Sequence, residues 1–129
     1  MSVALNHTIV WCTDQQTSAR FLTDMLGLPQ ARRFLHFLVV DLANGVSLDY
    51  YQRDGHIEPQ HYAFLVSDAE FDRILARIQE RGLPYWADPG RQQANQINRH
   101  WGGRGVYFHD PDKHLLEAIT KPYGSEDEL

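Results

Sequence analysis

Hydrophobic and polar positions along the chain predict two strands that each lead into an amphipathic helix. Residues 6–12 and 60–66 are rich in β-branched and aromatic residues, which is typical of β-strands. After each strand, apolar residues recur at helical spacing and so form one apolar face. These residues are Phe21, Leu22, Met25 and Leu26 in the first helix, and Phe71, Ile74, Leu75 and Ile78 in the second.

Short signals predict where both helices begin and end. Thr13-x-x-Gln16 and Ser67-x-x-Glu70 have the pattern of a capping box, in which side chains satisfy the backbone N–H groups at a helix start. A glycine before a Leu-Pro pair is typical of a helix that ends in a left-handed residue. The two glycines in this position are Gly27 and Gly82.

Each helix is followed by two predicted strands joined by a turn, with room for one more short strand in each half. The fold class is therefore α+β, with a repeated β-α-β-β unit. The predicted pairs are 34–42 with 45–52 and 104–109 with 114–120, and the extra strand falls near 30–33 or 84–87.

The two halves of the chain repeat one another. The segment from His7 to Asp14 corresponds to that from His61 to Asp68, in the same order of residue types. The second half carries an insertion at about 87–103, which is rich in Gly, Pro and polar residues and has no apolar period. A loop of this length is usually a functional lid or a mobile segment, and we expect a lid.

Charge and composition restrict the classes of function. The chain has 12 Lys and Arg against 17 Asp and Glu, a net charge of −5, so it lacks the basic footprint of a nucleic-acid-binding protein. No apolar run approaches the roughly 20 residues that span a bilayer, and the chain does not begin with a secretory signal. A single cysteine, Cys12, excludes an internal disulfide. We expect a cytoplasmic protein with an acidic tail at 124–129 that binds neither nucleic acid nor membrane.

Strand alternation places two histidines and two carboxylates at equivalent positions of the two halves. His7 and His61 open the first strands, and Asp49 and Glu117 lie in the last ones. Two imidazoles and a carboxylate are a common ligand set for a divalent metal. A strand histidine taken alone is more often exposed or hydrogen-bonded, but the repeated placement favours a metal site. Asp49 is then either a fourth ligand or a nearby base.

Three segments of the chain carry a recognisable pattern. They are Leu5-Asn6-His7, His61-Tyr62-Ala63-Phe64 and Gly105-Val106-Tyr107-Phe108-x-Asp110-Pro111-Asp112-x-His114-Leu115-Leu116-Glu117. These motifs resemble the vicinal oxygen chelate superfamily, which includes glyoxalase I, extradiol dioxygenases, fosfomycin-resistance thiol transferases and bleomycin-binding proteins. The resemblance spans 5–120 and implies one domain over 1–129, with module one at about 5–53 and module two at about 59–122. It also implies two βαβββ modules that form a U-shaped mixed sheet around a central metal.

By position, the resemblance implies that His7, His61 and Glu117 hold one divalent ion (Fe²⁺, Mn²⁺, Ni²⁺ or Zn²⁺). Asp49 falls where glyoxalase I-like members place a carboxylate that is both ligand and base, and Tyr107 matches a tyrosine that lines the site in some relatives. The resemblance also implies a homodimer, with the modules paired either within one chain or across two. Ile9 stands where fosfomycin-resistance enzymes have a threonine, which argues against that activity.

The expected function is that of a metal-dependent enzyme acting on a small substrate with adjacent oxygens. Dioxygenase-like ring cleavage and glyoxalase-like isomerase or lyase chemistry both remain open, as do the substrate, the native metal and any thiol cosubstrate. Asp49 and Tyr107 are the catalytic candidates, and Trp101 and Arg104, which flank the Gly102-Gly103 hinge, are the substrate-binding candidates. The alternative is a protein that binds and sequesters a small molecule, of the bleomycin-resistance kind.

Overall fold

The computed structural model describes residues 2–125, and residues 126–129 of the predicted acidic tail lie outside them. The chain divides into two compact units, Met1–Glu58 and Pro59–Leu129. Each unit has the order β-α-β-β-β, which confirms both the repeat and the extra strand predicted for each half.

The first unit is a four-stranded mixed sheet with one helix. The strand order in the sheet is β1-β4-β3-β2, with β1 parallel to β4 and the other pairs antiparallel. Its elements are β1 (His7–Cys12), α1 (Gln15–Leu26), β2 (Arg32–Phe34), β3 (Phe37–Asp41) and β4 (Ser47–Gln52).

The second unit repeats this topology with a longer connection. Its order is β5-β8-β7-β6, again with the first and last strands parallel. The elements are β5 (His61–Leu65), α2 (Asp68–Glu80), β6 (Tyr85–Trp86), β7 (Gly105–His109) and β8 (Leu115–Ile119), with a single 3₁₀ turn at His100–Gly102.

The two helices begin differently from each other. At α2 the predicted capping box is present, since the Ser67 hydroxyl accepts from the Glu70 N–H and the Glu70 carboxylate accepts from the Ser67 N–H. At α1 the predicted box is wrong, because Asp14 is the N-cap and accepts from the N–H groups of Gln16 and Thr17. A carboxylate in extended backbone is a strong N-cap by itself, so the helix begins one residue later than the Thr13 pattern indicates.

In each unit, the first strand has one buried face, and its histidine lies on the opposite face. Along β1, Val10 and Cys12 are buried, while His7, Ile9 and Trp11 on the opposite face are exposed. In α2, the buried residues Phe71, Ile74 and Ile78 lie on the apolar face that the sequence predicts. The histidines thus lie on the sheet face that does not carry the core, where a ligand has access.

The insertion at 87–103 is folded on itself by local hydrogen bonds. The Asp88 carboxylate accepts from the N–H groups of Gln92 and Gln93 at 2.8–3.0 Å, and the Asn98 side-chain amide donates to the carbonyl of Ala87 at 2.8 Å. Its role as a lid stays a prediction. Within residues 2–125, no helix has the length and apolar character that crossing a bilayer requires.

Candidate metal centre

In the second unit, two of the predicted ligands are adjacent. The parallel pairing of β5 with β8 sets Ala63 beside Glu117, and His61 lies two residues earlier on the same face. The His61 Nε2 atom is 3.0 Å from Oε1 of Glu117. Two donor atoms that each lie about 2.1 Å from a metal, at right angles to one another, are separated by about 3.0 Å. The spacing of this pair therefore fits two neighbouring ligands of one ion.

The hydrogen bonds of His61 indicate which ring nitrogen is available. Its Nδ1 lies 3.0 Å from the carbonyl oxygen of Leu115, which can only accept, so Nδ1 carries the proton. In the neutral ring, Nε2 then presents a lone pair toward the Glu117 carboxylate. Two acceptors that face each other at this distance require a cation between or on them, either a proton or a metal ion. A histidine that donates its other N–H to a backbone carbonyl is also the usual arrangement of a metal ligand.

The Glu117 carboxylate is buried, with 1% of the residue exposed, and both of its oxygens accept hydrogen bonds. The Tyr123 hydroxyl donates to both oxygens, at 2.8 and 2.7 Å, and lies 3.4 Å from the Tyr107 hydroxyl. The ring of Tyr107 stacks on that of His61, with centroids 6.1 Å apart. Burial raises the pKa of both tyrosines, and the neighbouring Glu117 raises it further, so both hydroxyls remain protonated donors at neutral pH.

In the first unit, His7 and Asp49 lie on the wall of one cavity of about 340 Å³. The β1–β4 register sets Ile9 beside Asp49, on the same sheet face as His7. His7 Nδ1 lies 2.7 Å from the side-chain oxygen of Asn6, which as an acceptor fixes the proton on Nδ1 and leaves the Nε2 lone pair for a ligand. The complete lining is Asn6, His7, Ile9, Arg32, Phe34, Phe37, Val39, Ser47 and Asp49.

The wall of this cavity combines apolar residues with several polar and charged ones. Phe34 and Ile9 are exposed apolar residues, and Ser47 donates to the Asp49 carboxylate at 3.0 Å. Arg32 lines the cavity, and its guanidinium forms an ion pair with Asp41 at 2.8 Å. A concave wall that combines apolar surface with polar groups able to orient a ligand is typical of small-molecule sites.

The predicted ligands thus fall into one pair in each unit, His7 with Asp49 and His61 with Glu117. Among residues 2–125, no group of three or more His, Cys, Asp or Glu side chains is spaced to hold a metal ion. The complete site of His7, His61 and Glu117 therefore stays a prediction.

The two predicted substrate-binding residues have distinct surroundings. Trp101 is half-buried in the 3₁₀ turn, with φ of 61°, and its ring lies 6.3 Å from that of Tyr123. Arg104 instead contacts α2, where its guanidinium pairs with Asp72 at 2.7 Å and Asp68 at 3.1 Å. Substrate binding by either residue stays a prediction, and Arg104 already has structural partners.

Sequence reasoning misses two residues of this unit. His114, which the sequence presents only as part of the third motif, is fully buried, and its Nδ1 accepts from the Gln60 N–H at 2.9 Å. Tyr123 belongs to none of the motifs, although it stands six positions after Glu117 in a Pro-Tyr-Gly sequence that favours a turn. That turn is the signal that could have indicated its return toward β8.

Comparison with known proteins agrees with this fold. Residues 4–118 match the sequence profile of the Glyoxalase/Bleomycin resistance protein/Dioxygenase superfamily. The solved structure of Oxidase ChaP-H1 is 57% identical, with 95% of this chain and 99% of that chain covered and a TM-score of 0.94. Glutathione transferase FosA from Serratia marcescens is 30% identical over 125 residues, covering 91% of this chain and 80% of its own length.

A more distant structure shares the fold alone. FosX from Listeria monocytogenes, solved in complex with Mn(II) and sulfate, is 22% identical, covers 97% of this chain and 95% of its own, and has a TM-score of 0.71. The profile match covers nearly the whole chain, and the two βαβββ units correspond to the fold of these structures. The chain therefore belongs to the Glyoxalase/Bleomycin resistance protein/Dioxygenase superfamily.

Proposed function

We propose that this chain is a divalent-metal-dependent oxidase, acting on a small substrate that presents adjacent oxygens. The observation that carries the proposal is the His61–Glu117 pair, in which Nε2 and Oε1 lie 3.0 Å apart, the separation of two neighbouring ligands of one ion. The 57% identity to an oxidase favours oxidation over the isomerase or lyase branch of the same superfamily. The metal-binding residues of that proposal are His7, His61 and Glu117.

A bound metal would supply Lewis acidity and open coordination positions for the two substrate oxygens. His61 and His7 can each serve as a ligand through Nε2, because the Nδ1 N–H of each ring donates to an oxygen, the Leu115 carbonyl for His61 and the Asn6 side chain for His7. Glu117 would contribute the anionic ligand. Iron is the ion that best suits oxidation with O₂ at a two-histidine, one-carboxylate site, although the donor set also fits Mn²⁺, Ni²⁺ and Zn²⁺.

Asp49 and Tyr107 are the proposed catalytic residues. Asp49 lies on the cavity wall and accepts a single hydroxyl hydrogen bond from Ser47, which leaves further lone pairs to take a proton from a substrate hydroxyl. The raised pKa of Tyr107 keeps its hydroxyl a donor, suited to stabilising negative charge that develops on a substrate oxygen. Apolar residues of the cavity wall, among them Ile9 and Phe34, would exclude water around Asp49.

Metal content is the direct test. Protein prepared without a histidine tag and without oxygen should contain about one Fe, Mn, Ni or Zn per chain by mass spectrometry. His61→Ala and Glu117→Gln should lose the metal and all turnover. His56→Ala is the matched control, because His56 is exposed and pairs only locally with Glu58, at 3.0 Å. Wild-type protein that takes up none of the four ions would refute the proposal.

Three assays separate the possible chemistries in the metal-loaded protein. Oxygen consumption with catechols supports the oxidase, whereas isomerisation of the hemithioacetal of methylglyoxal and glutathione indicates the glyoxalase branch. Glutathione addition to fosfomycin tests the transferase activity of the more distant relatives, and Ile9 argues against it. Stoichiometric ligand binding that survives chelators and yields no product would indicate a sequestering protein instead.

We further propose that the protein is a cytoplasmic homodimer, as the family resemblance implies. Its molar mass in solution, measured by light scattering after size exclusion, tests the dimer. A mass close to the 14.9 kDa of one chain contradicts it.

A further inference from the structure

The residues that follow β8 form a short turn directly above the predicted metal ligand Glu117. We call segment 121–125 the strap. Gly124 has φ of +77°, which favours glycine, and Ser125 closes the turn through its hydroxyl and its N–H, which donate to the carbonyl of Pro122 at 2.6 and 3.2 Å. Tyr123 lies within this turn.

The Tyr123 hydroxyl is placed symmetrically on the Glu117 carboxylate. Its distances to the two oxygens are 2.8 and 2.7 Å, so one O–H is shared by both oxygens in the position that a cation bound by both would take. A hydrogen bond to an ionised carboxylate is among the stronger ones in proteins. Tyr123 and a metal ion therefore compete for the same lone pairs.

The base of the strap is fixed, while Tyr123 itself lies at the surface. Thr120 bonds to Arg104 twice, through its hydroxyl at 2.8 Å and its N–H at 3.0 Å. A Cβ at Gly103 would approach the Thr120 hydroxyl to 2.6 Å, so the backbone of the insertion packs directly against this base. Tyr123 is 61% exposed, and a rotation of its side chain is enough to release Glu117 without moving β8.

We propose that the strap is a self-capping device of the metal site, in which Tyr123 occupies Glu117 in the metal-free protein and is displaced when a metal binds. The inference rests on the proposed function and adds a regulatory role for the end of the chain. Because the ring of Tyr123 lies 6.3 Å from that of Trp101, displacement also changes the surroundings of Trp101 and couples metal binding to the insertion.

Titration of the metal-free protein with Mn²⁺, followed by calorimetry, tests the competition. Removing the hydroxyl in Tyr123→Phe should tighten Mn²⁺ binding by about tenfold, the effect of removing one hydrogen bond to a charged group. Tyr85→Phe is the matched control, since its hydroxyl bonds to Gln79 and not to Glu117, and it should bind as the wild type does. In parallel, chymotrypsin should cleave after Tyr123 faster in the Mn²⁺-loaded wild type than in the metal-free protein.

The outcomes separate this inference from the proposed function. Equal Mn²⁺ affinity in wild type and Tyr123→Phe overturns the strap but leaves the metal site in place. Weaker binding in Tyr123→Phe also overturns it, because the hydroxyl would then support Glu117 as a ligand. If wild type and both variants bind no metal, the proposed function and the strap fail together.

Discussion

Replacing Arg104 by methionine should destabilise the second unit, because Arg104 joins β7 to α2. Its side chain is 21% exposed, and its guanidinium pairs with Asp72 at 2.7 Å and Asp68 at 3.1 Å. The same group lies 4.5 Å from the ring centroid of Phe71, a fully buried residue of α2. Methionine keeps the apolar stem of the side chain and removes only the charge and its donors.

The expected loss can be worked from these contacts. Both aspartates are largely exposed, so each ion pair contributes about 0.5 kcal/mol after screening by solvent. The cation–π contact adds about 1 kcal/mol. The free energy of unfolding should therefore fall by about 2 kcal/mol, which lowers the melting temperature of a domain of this size by about 8 °C.

Urea unfolding followed by circular dichroism measures this loss. A double-mutant cycle of Arg104→Met with Asp72→Asn should give a coupling energy of about 0.5 kcal/mol. The difference in the free energy of unfolding between Arg104→Met and wild type should become smaller in 1 M salt, where the Debye length falls to about 3 Å. Arg99→Met, in the insertion and without these partners, is the control.

The opposite pattern would refute the structural role. If Arg104→Met melts within about 1 °C of wild type, far less than the shift that a loss of about 2 kcal/mol produces, while the KM of the metal-loaded enzyme rises, Arg104 binds substrate as the sequence predicts. If both the stability and the kcat/KM of Arg104→Met fall, the enzyme assay is repeated at a low temperature at which the variant and the wild type are both folded. A kcat/KM that is still reduced there then reports on substrate binding and not on unfolding.

Three further substitutions test other parts of the structure. Burial raises the pKa of Asp110 above its ordinary 3.8, so folding favours its protonated form. The stability that this group contributes is therefore lost as the pH rises from about 3.8 through the raised pKa. Asp110→Asn should lose this pH dependence and become more stable relative to wild type at pH values above the raised pKa, as denaturant unfolding from pH 3 to 7 would show. An advantage for wild type at pH 7 contradicts this. Ser67→Ala should cost about 1 kcal/mol by breaking the capping box with Glu70, and an unchanged urea midpoint would refute the cap. Gly103→Ala should lower the free energy of unfolding by about 1–3 kcal/mol, because its Cβ would lie 2.6 Å from the Thr120 side chain. An unchanged melting temperature would show instead that Thr120, at the base of the strap, can shift to make room.

Local signals in the sequence determined the elements and their order. Strand alternation, the apolar helix faces and the glycines at the helix ends depend on neighbours within a few residues, so they can be read without the fold. The repeat placed His61 at the strand position equivalent to His7 and Glu117 at the position equivalent to Asp49, and the parallel pairing of β5 with β8 brings His61 and Glu117 together. The error at the start of α1 arose where two adjacent residues, Thr13 and Asp14, both favour a cap.

Tertiary packing decided how these residues are used. Whether Arg104 extends toward a ligand or toward α2 depends on where Asp68 and Asp72 lie, more than thirty residues earlier in the chain. The burial of His114 and the contact of Tyr123 with Glu117 likewise depend on separate segments meeting in space. Sequence patterns specify which face of an element a side chain occupies, whereas the partner across that face is set by how the elements pack, because charge and hydrogen-bond contacts reach only a few ångströms.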